Sequence, residues 1–501
     1  MSRARLTAGV VTNAVLCAAA LVAGAVGPLA PNTGAAQPPA AISPRTTSAS
    51  GAAVIHVGRP LRVARTPAAQ GFLGIATSLS TIPILSGSAT DPDIPFRHLL
   101  SNLSPGAPML LRLGGVSADT SWWAVRGIKK PPYLYTLTPR WGGDVHSLLN
   151  SLGARAILGV NLQASPRIEP TVARVEVAEF ERYLGASRID AFELGNEPER
   201  EVGTTIAGYG KQFSHIASML GGAPLAGPAS VGSVWLRQLG TVLNHLPTRL
   251  KLVTVHAYPL KKCSSRAHLS MSDLFTHASI QGLANSIHRM VKAATSHAKP
   301  LRVDEINAIT CGGQAGLSDS FGEALWALNV LPALWRAGVQ GVNFQTVDGG
   351  LNQMITATHP ATGWRISVQP EYYGLLAFAD AAPAGSQLLH LSSPRLPDFY
   401  QFAVRAPDRS ERVVLTNIGA VARTIDLVAS HTDGTASMSL LSARSLKATG
   451  GTTLGGQYVS SHTGQLTGRH RATPLQPNST GVYRAQIPAR TAAIITLSAA
   501  P

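Results

Sequence analysis

Eight short apolar runs punctuate the middle of the chain, and most of the gaps between them carry an amphipathic helical pattern. The runs are FLGIA, PMLLRLGG, RAILGVNL, IDAFELGNE, PLAGPAS, LKLVTVHAY, LRVDEINA and GVNFQTV. Between them fall stretches such as WGGDVHSLLNSLG and SFGEALWALNVLPALWRAG. Short apolar runs suit strands buried on both faces, whereas the longer stretches repeat their apolar positions every third or fourth residue, as helices do. Eight strands alternating with helices predict an α/β fold, a (β/α)8 TIM barrel over residues 71–380. The rival, a doubly wound sheet, usually needs a glycine-rich nucleotide turn after its first strand, and FLGIATSLS is followed by none.

Past PEYYGLLAFAD the period changes to two. FYQFAVRA, RVVLTNIG, TIDLVAS, GVYRAQIPA and TAAIITLSA alternate between turn residues, which predicts a C-terminal antiparallel β-sandwich over residues 381–501. AVIHVGRPLRVAR alternates in the same way, so residues 53–70 are expected to add an N-terminal strand to that domain. Ahead of it, Arg3 and Arg5 precede AGVVTNAVLCAAALVAGAVG, the form of an export signal. Residues 1–36 are read as a signal peptide and residues 37–52, rich in Pro, Ala, Ser and Thr, as a disordered linker. The protein is therefore expected outside the cell, with no membrane contact beyond that segment. Left uncleaved, the segment is nearly long enough to serve as an anchor.

Of 501 residues, 45% are apolar and 14% charged, which is a globular balance. The net charge of +16 favours a polyanionic partner such as an acidic glycan, and equally fits an arginine-rich solvated surface. An arginine-rich arm, zinc-finger spacing and aromatic–basic RNA motifs are all missing from the sequence, so nucleic acid is not expected as a partner. Outside the signal the cysteines are Cys263 and Cys311, an even count that suits one disulfide in an oxidising compartment. His256 and His268 flank Cys263, but the spacing matches no common zinc site; neither a metal nor a cofactor is expected.

Candidate chemistry lies in FELGNEPER, an apolar run that closes on charge and proline. Glu197 ends the fourth run and Glu305 lies near the end of the seventh, where a barrel of this kind carries its catalytic groups. Two inward carboxylates on nearly opposite strands suit glycoside hydrolysis, in which one protonates the leaving oxygen and the other faces the anomeric carbon. Pro198 ends strand pairing after Glu197, and the Asn196 amide can reach a sugar hydroxyl. Glu193 shares the parity of Glu197 one layer deeper and can pair with Arg112. Asp304, of opposite parity to Glu305, is expected to point away from the barrel axis. The plainer alternative makes Glu197 a helix cap and Glu305 the partner of a lysine or arginine.

LGNEPE together with VDEINAITCGGQAGLSDSFGEALWALN resembles glycoside hydrolase family 79, the β-glucuronidase and heparanase family, and RLGGVSADTSWW, TVHAYP and EYYGLLAFA fit it in the same order. The resemblance runs from about Gly71 to the C-terminus. It implies a retaining hydrolase with Glu197 as acid/base and Glu305 as nucleophile, and Cys263 bonded to Cys311 across the loops after strands six and seven. Glu197 should then rest protonated while Glu305 is ionised. The resemblance also implies that Tyr258 orients Glu305, that Asp119 lies near the sugar hydroxyls (or caps a helix), and that Gly312 and Gly313 hold a sugar carboxylate (or only turn the chain). Trp122 and Trp123 are either a sugar-stacking platform or core. Two positions depart from the family: Ser78 stands where an acid is expected, and Asn352 near an expected tyrosine. The expected substrate is a β-glucuronide, free or within a uronic-acid polysaccharide cut in heparanase or hyaluronidase fashion. A barrel that binds carbohydrate without cleaving it, or an adhesive matrix protein, are the rival readings.

Overall fold

The computed structural model describes residues 51–61, 71–130, 135–163, 169–201, 203–264, 268–429 and 432–499. The expected signal and most of the expected linker therefore lie outside the described residues, as do residues 62–70.

Eight parallel strands close a barrel: Leu73–Ser78, Leu110–Gly114, Arg155–Val160, Ile189–Leu194, Leu225–Ser230, Leu250–Ala257, Leu301–Ile306 and Gly341–Gln345. We number them one to eight. Each pairs with its neighbours in sequence, and strand eight pairs with strand one through Val342 and Leu73. Nearly every strand residue is buried, because helices cover the outer face and side chains fill the inner one. The helices form for local reasons as well. Thr138 accepts from Trp141 N–H and Pro139 starts the Pro139–Ser151 helix, whose buried Trp141, Val145, Leu148 and Leu149 make one stripe.

The barrel interior is layered. Leu110, Ile157, Ala191, Ala226 and Leu252 form a small apolar plug near its N-terminal end. Buried Arg302 also lies near that end and donates to the Gly71 carbonyl (2.9 Å) and to Asn343. This close approach requires glycine at 341, where a Cβ would fall 2.0 Å from Arg302 Nη1. Above the plug the layer is polar and charged, and it is on this layer that the site is built.

The second region is a ten-stranded sheet curled over one core. The expected sandwich thus takes the form of a single folded-over sheet, not two separate ones. Strand Ala53–Pro60 lies inside it, antiparallel to Gln387–Ser392 and parallel to Arg423–Val428. Strand alternation divides the residues between two cores. Ala403, Val413, Leu415 and Ile495 face the sheet's own core, whereas Phe402, Val404, Val414 and Ile494 join the barrel's. Helices Phe321–Ala337 and Pro370–Ala381 are packed between barrel and sheet. They are apolar nearly all round because they are buried nearly all round. The N–H groups of Phe321 and Gly322 donate to the carbonyls of Ala448 and Leu446 (both 2.8 Å), so the first helix is capped by a loop of the sheet region.

Candidate active site

Strand four ends at Leu194, and the chain then turns sharply. Glu197 takes a left-handed conformation (φ 46°) that side chains other than glycine seldom adopt, and Pro198–Arg200 follows as a single 3-10 turn. Two contacts hold this bend. Glu197 N–H donates to the Ala229 carbonyl (3.0 Å), and Glu199 accepts from Ser230 Oγ (2.8 Å) and Val231 N–H (2.7 Å).

Across the mouth, strand seven carries a β-bulge. Val303 pairs with Val255 and Glu305 with His256, which leaves Asp304 as the extra residue. The bulge overturns the expected parity. Asp304 does not point away from the axis; its carboxylate is wholly buried, 3.6 Å from Arg112 Nε and 3.9 Å from His256 Nε2. Glu305 faces the same interior.

Four groups hold the two glutamates. Glu305 accepts from Tyr258 OH at Oε1 and from Arg112 Nη1 at Oε2, both at 2.7 Å. Glu197 meets His256 Nδ1 at Oε1 (2.9 Å) and Arg200 Nη1 at Oε2 (3.0 Å). His256 lies between the glutamates, its Nδ1 also 3.7 Å from Glu305 Oε1. One oxygen from each carboxylate and one imidazole nitrogen all fall within 4.8 Å of one another. Below them Arg112 donates to Glu193 Oε2 (2.7 Å) and to Asn196 Oδ1 (2.9 Å). Two carboxylates and one histidine side chain could suggest a metal. Here, however, each oxygen of Glu197 and Glu305 already has a protein donor, and the Arg112 cation stands beside them. The donor set therefore reads as a hydrogen-bond network.

Charge states follow from these neighbours. Burial pushes Glu193 up, but Arg112 outweighs it and holds the carboxyl down at about 2. Burial and the adjacent Glu193 push Asp304 well above the carboxylate range, so it is neutral. A proton on Asp304 aimed at Glu193, together with the Thr254 hydroxyl, supplies hydrogen bonds to that carboxylate. Burial pushes His256 down, but the Glu305 charge and the hydrogen bond to Glu197 lift it to about 9. Whatever its charge, Nδ1 carries the hydrogen towards Glu197. Burial pushes Glu197 up as well, yet His256 and Arg200 bring it below the usual carboxylate range. The expectation that Glu197 rests protonated is therefore corrected for the free molecule: two cations face it.

The remaining expected residues divide. Asn196 and Tyr258 belong to the network. Gln345, from strand eight, also meets Tyr258 OH (2.9 Å). Asp119 is not an N-cap, since Gly115 holds that place in helix Val116–Thr120. It accepts from Leu162 N–H (3.1 Å) and is pushed by burial to about 7. Ser78 ends strand one, buried, with its carbonyl accepting from Thr81 N–H (3.2 Å). Cys263 and Cys311 are disulfide-bonded, Cα atoms 5.2 Å apart. Gly312 and Gly313 both have positive φ, but Gly313 N–H donates to the Thr310 carbonyl (3.2 Å), so it closes the turn and does not await a carboxylate. Asn352 is a buried strut: its amide donates to the Ile309 carbonyl (3.0 Å), under Gly313. Trp122 and Trp123 form no sugar platform. Both are buried, and Trp123 stacks on Tyr183 with ring centroids 5.4 Å apart.

Sequence reasoning missed three parts of the site. Arg112 was seen only as a partner for Glu193, His256 only as a rejected zinc ligand, and Arg200 not at all. An arginine in the middle of an apolar strand, and a histidine two residues before Tyr258, were the available signals.

Comparison with known proteins gives the class of fold. No family model matches the chain, and no curated protein matches it either. Solved structures do. A 4-O-α-L-rhamnosyl-β-D-glucuronidase from Fusarium oxysporum 12S superposes with a TM-score of 0.73 at 18% identity, covering 89% of this chain and all (100%) of that one. A family 51 arabinofuranosidase from Xanthomonas axonopodis pv. citri gives 0.60 at 16%, over 89% and 100% of the two chains. CelM2, a bifunctional glucanase-xylanase from a metagenome library, gives 0.61 at 13%, over 90% and 99%. The chain therefore has the (β/α)8 fold, with an appended β region, that is shared across several families of glycoside hydrolases.

Proposed function

We propose that this protein is an exported, retaining glycoside hydrolase that acts on β-glucuronides. The observation that carries the reading is the approach of Glu197 and Glu305 across the mouth, at the ends of strands four and seven, within 4.8 Å oxygen to oxygen. So short a gap leaves no room for a water between nucleophile and sugar, which favours double displacement with retention. Tyr258 and Arg112 each fix one oxygen of Glu305 and so aim it. Glu305 attacks the anomeric carbon while Glu197, once it has taken up a proton that the neighbouring His256 can supply, gives that proton to the departing glycosidic oxygen. Glu197, now ionised, then takes a proton from water as that water displaces Glu305.

The fold likeness to a rhamnosyl-glucuronidase and the net charge of +16 support a uronic acid as substrate. Of the expected carboxylate cradle, only Gly312 keeps its N–H without a partner among the described residues. The sugar is therefore the first point to test. The experiment compares kcat/KM on matched aryl β-glucuronide, β-glucoside and β-xyloside, with NMR of the first-formed product. The β-glucuronide should be preferred and the β anomer released first, and Glu305→Gln should abolish turnover. Initial α anomer overturns the mechanism, a preferred neutral sugar overturns the substrate class, and binding without turnover returns the barrel to a carbohydrate-binding role.

A further inference from the structure

Glu197 Oε1 faces inward to buried His256, so Oε2 is the oxygen turned towards solvent and any leaving group. Arg200 occupies it. The Arg200 side chain is 61% exposed, against 12% for Glu197, and this single hydrogen bond is its only one among the described residues. Its backbone does not move freely, because neighbouring Glu199 is pinned to Ser230 and Val231. The guanidinium is different: an exposed ion pair of this kind adds little stability and is readily exchanged.

The titratable and charged groups around Glu197 are His256 from strand six and Arg200 from its own turn, with Tyr258 beyond strand six nearby and Glu305 from strand seven reached through His256. Proton transfer to a leaving oxygen needs Oε2 vacated. Four of the five guanidinium N–H groups meanwhile have no partner among the described residues and can meet a ligand on the outer side of Glu197. We propose that Arg200 is a specificity-determining residue that binds an oxyanion, a carboxylate or sulfate, on the leaving group of the substrate, and that this exchange frees Glu197 to act as the acid. A planar oxyanion offers the guanidinium two parallel hydrogen bonds in place of one. The inference rests on the hydrolase reading above.

The test uses the full-length enzyme and aryl β-glucuronides whose leaving groups carry a carboxylate, a sulfate or a neutral carboxamide. Comparing Arg200→Gln with the parent on each cancels the intrinsic reactivity of the leaving groups. The variant should lose about tenfold more kcat/KM on one or both anionic substrates than on the neutral one, and Arg200→Lys should retain part of the difference. The carboxylate and sulfate arms show which oxyanion is read. The alkaline limb of kcat/KM against pH should also move up in Arg200→Gln, because a cation leaves Glu197. Equal losses on all three substrates, with an unmoved limb, would overturn the role of Arg200 and leave the hydrolase intact. A parent enzyme that turns over no β-glucuronide of any charge would remove both.

Discussion

Two groups of acids flank the seventh strand, and they differ in the cations that reach them. On its inner side Glu193 and Glu305 lie against Arg112, with Glu197 against His256. Just past its end, Ala308 N–H donates to Glu323 (3.0 Å), and the Asn307 amide reaches both oxygens of Glu371 (3.2 and 3.3 Å). These two glutamates start the helices packed under the sheet, and no cation reaches either among the described residues. Burial therefore pushes Glu371 to about 8 and, together with Glu371, pushes Glu323 well above the carboxylate range. Glu193, Glu323 and Glu371 are all almost wholly buried, so burial alone does not separate the two sides. The difference is one arginine and one histidine, which hold Glu193 and Glu197 below the ordinary carboxylate range while Glu323 and Glu371 are pushed above it.

The sharpest way to break this contrast is Arg112→Met. It leaves Glu193 and Glu305 buried without their cation and should lower stability by ~3–5 kcal/mol at neutral pH. Glu193, held at about 2 in the folded state, contributes stability that is present above the unfolded carboxylate value and lost as pH falls towards about 2. The variant should lose that contribution, so its deficit in chemical denaturation should shrink as pH is lowered. A deficit independent of pH would mean that Arg112 acts by packing alone.

A milder effect is expected from reducing the Cys263–Cys311 bond, which joins the loops after strands six and seven over a separation of 48 residues. Bonds of this kind contribute about 2–4 kcal/mol, so the melting temperature should fall by several degrees. Two titratable thiols in the unreduced protein would refute the bond.

Glu371→Gln tests the outer side and should have the smallest effect. Glu371 titrates higher folded than unfolded, so the folded state holds the extra proton between the ordinary carboxylate value and about 8. Stability contributed by that proton is full at low pH and is lost as pH rises through this window. The variant should match the parent near the bottom of the window and exceed it at the top. Asn307 Oδ1, unpartnered among the described residues, is available to accept from the new amide. Parallel pH curves for the two proteins would place the proton elsewhere.

The barrel was legible because parallel strands are apolar on both faces and stand out as runs, and the β region because its alternation reports two separate cores. Glu197 and Glu305 were legible from their position at strand ends. The geometry between them was not. Asp304 was placed by counting from Glu305, and a bulge between the two breaks the count; counting from Arg302 would have put it inside. The charge state of Glu197 depends on His256, 59 residues away in sequence, and on an arginine that resembles any surface arginine. Gly313 and Asn352 showed their residue types but not the turn that consumes their hydrogen bonds.

Strand Ala53–Pro60 has a consequence for the order of assembly. Both of its partners, Gln387–Ser392 and Arg423–Val428, are synthesised more than three hundred residues later. During synthesis its edges stay unpaired, a template for misplaced β contacts, while the whole barrel sequence passes between. Its polar edge positions, His56 and Arg59, suit that wait. A chain cut short after Ala337 but before residue 387 would carry an orphaned strand at one end and, near the other, the helix Phe321–Ala337 bare of its sheet.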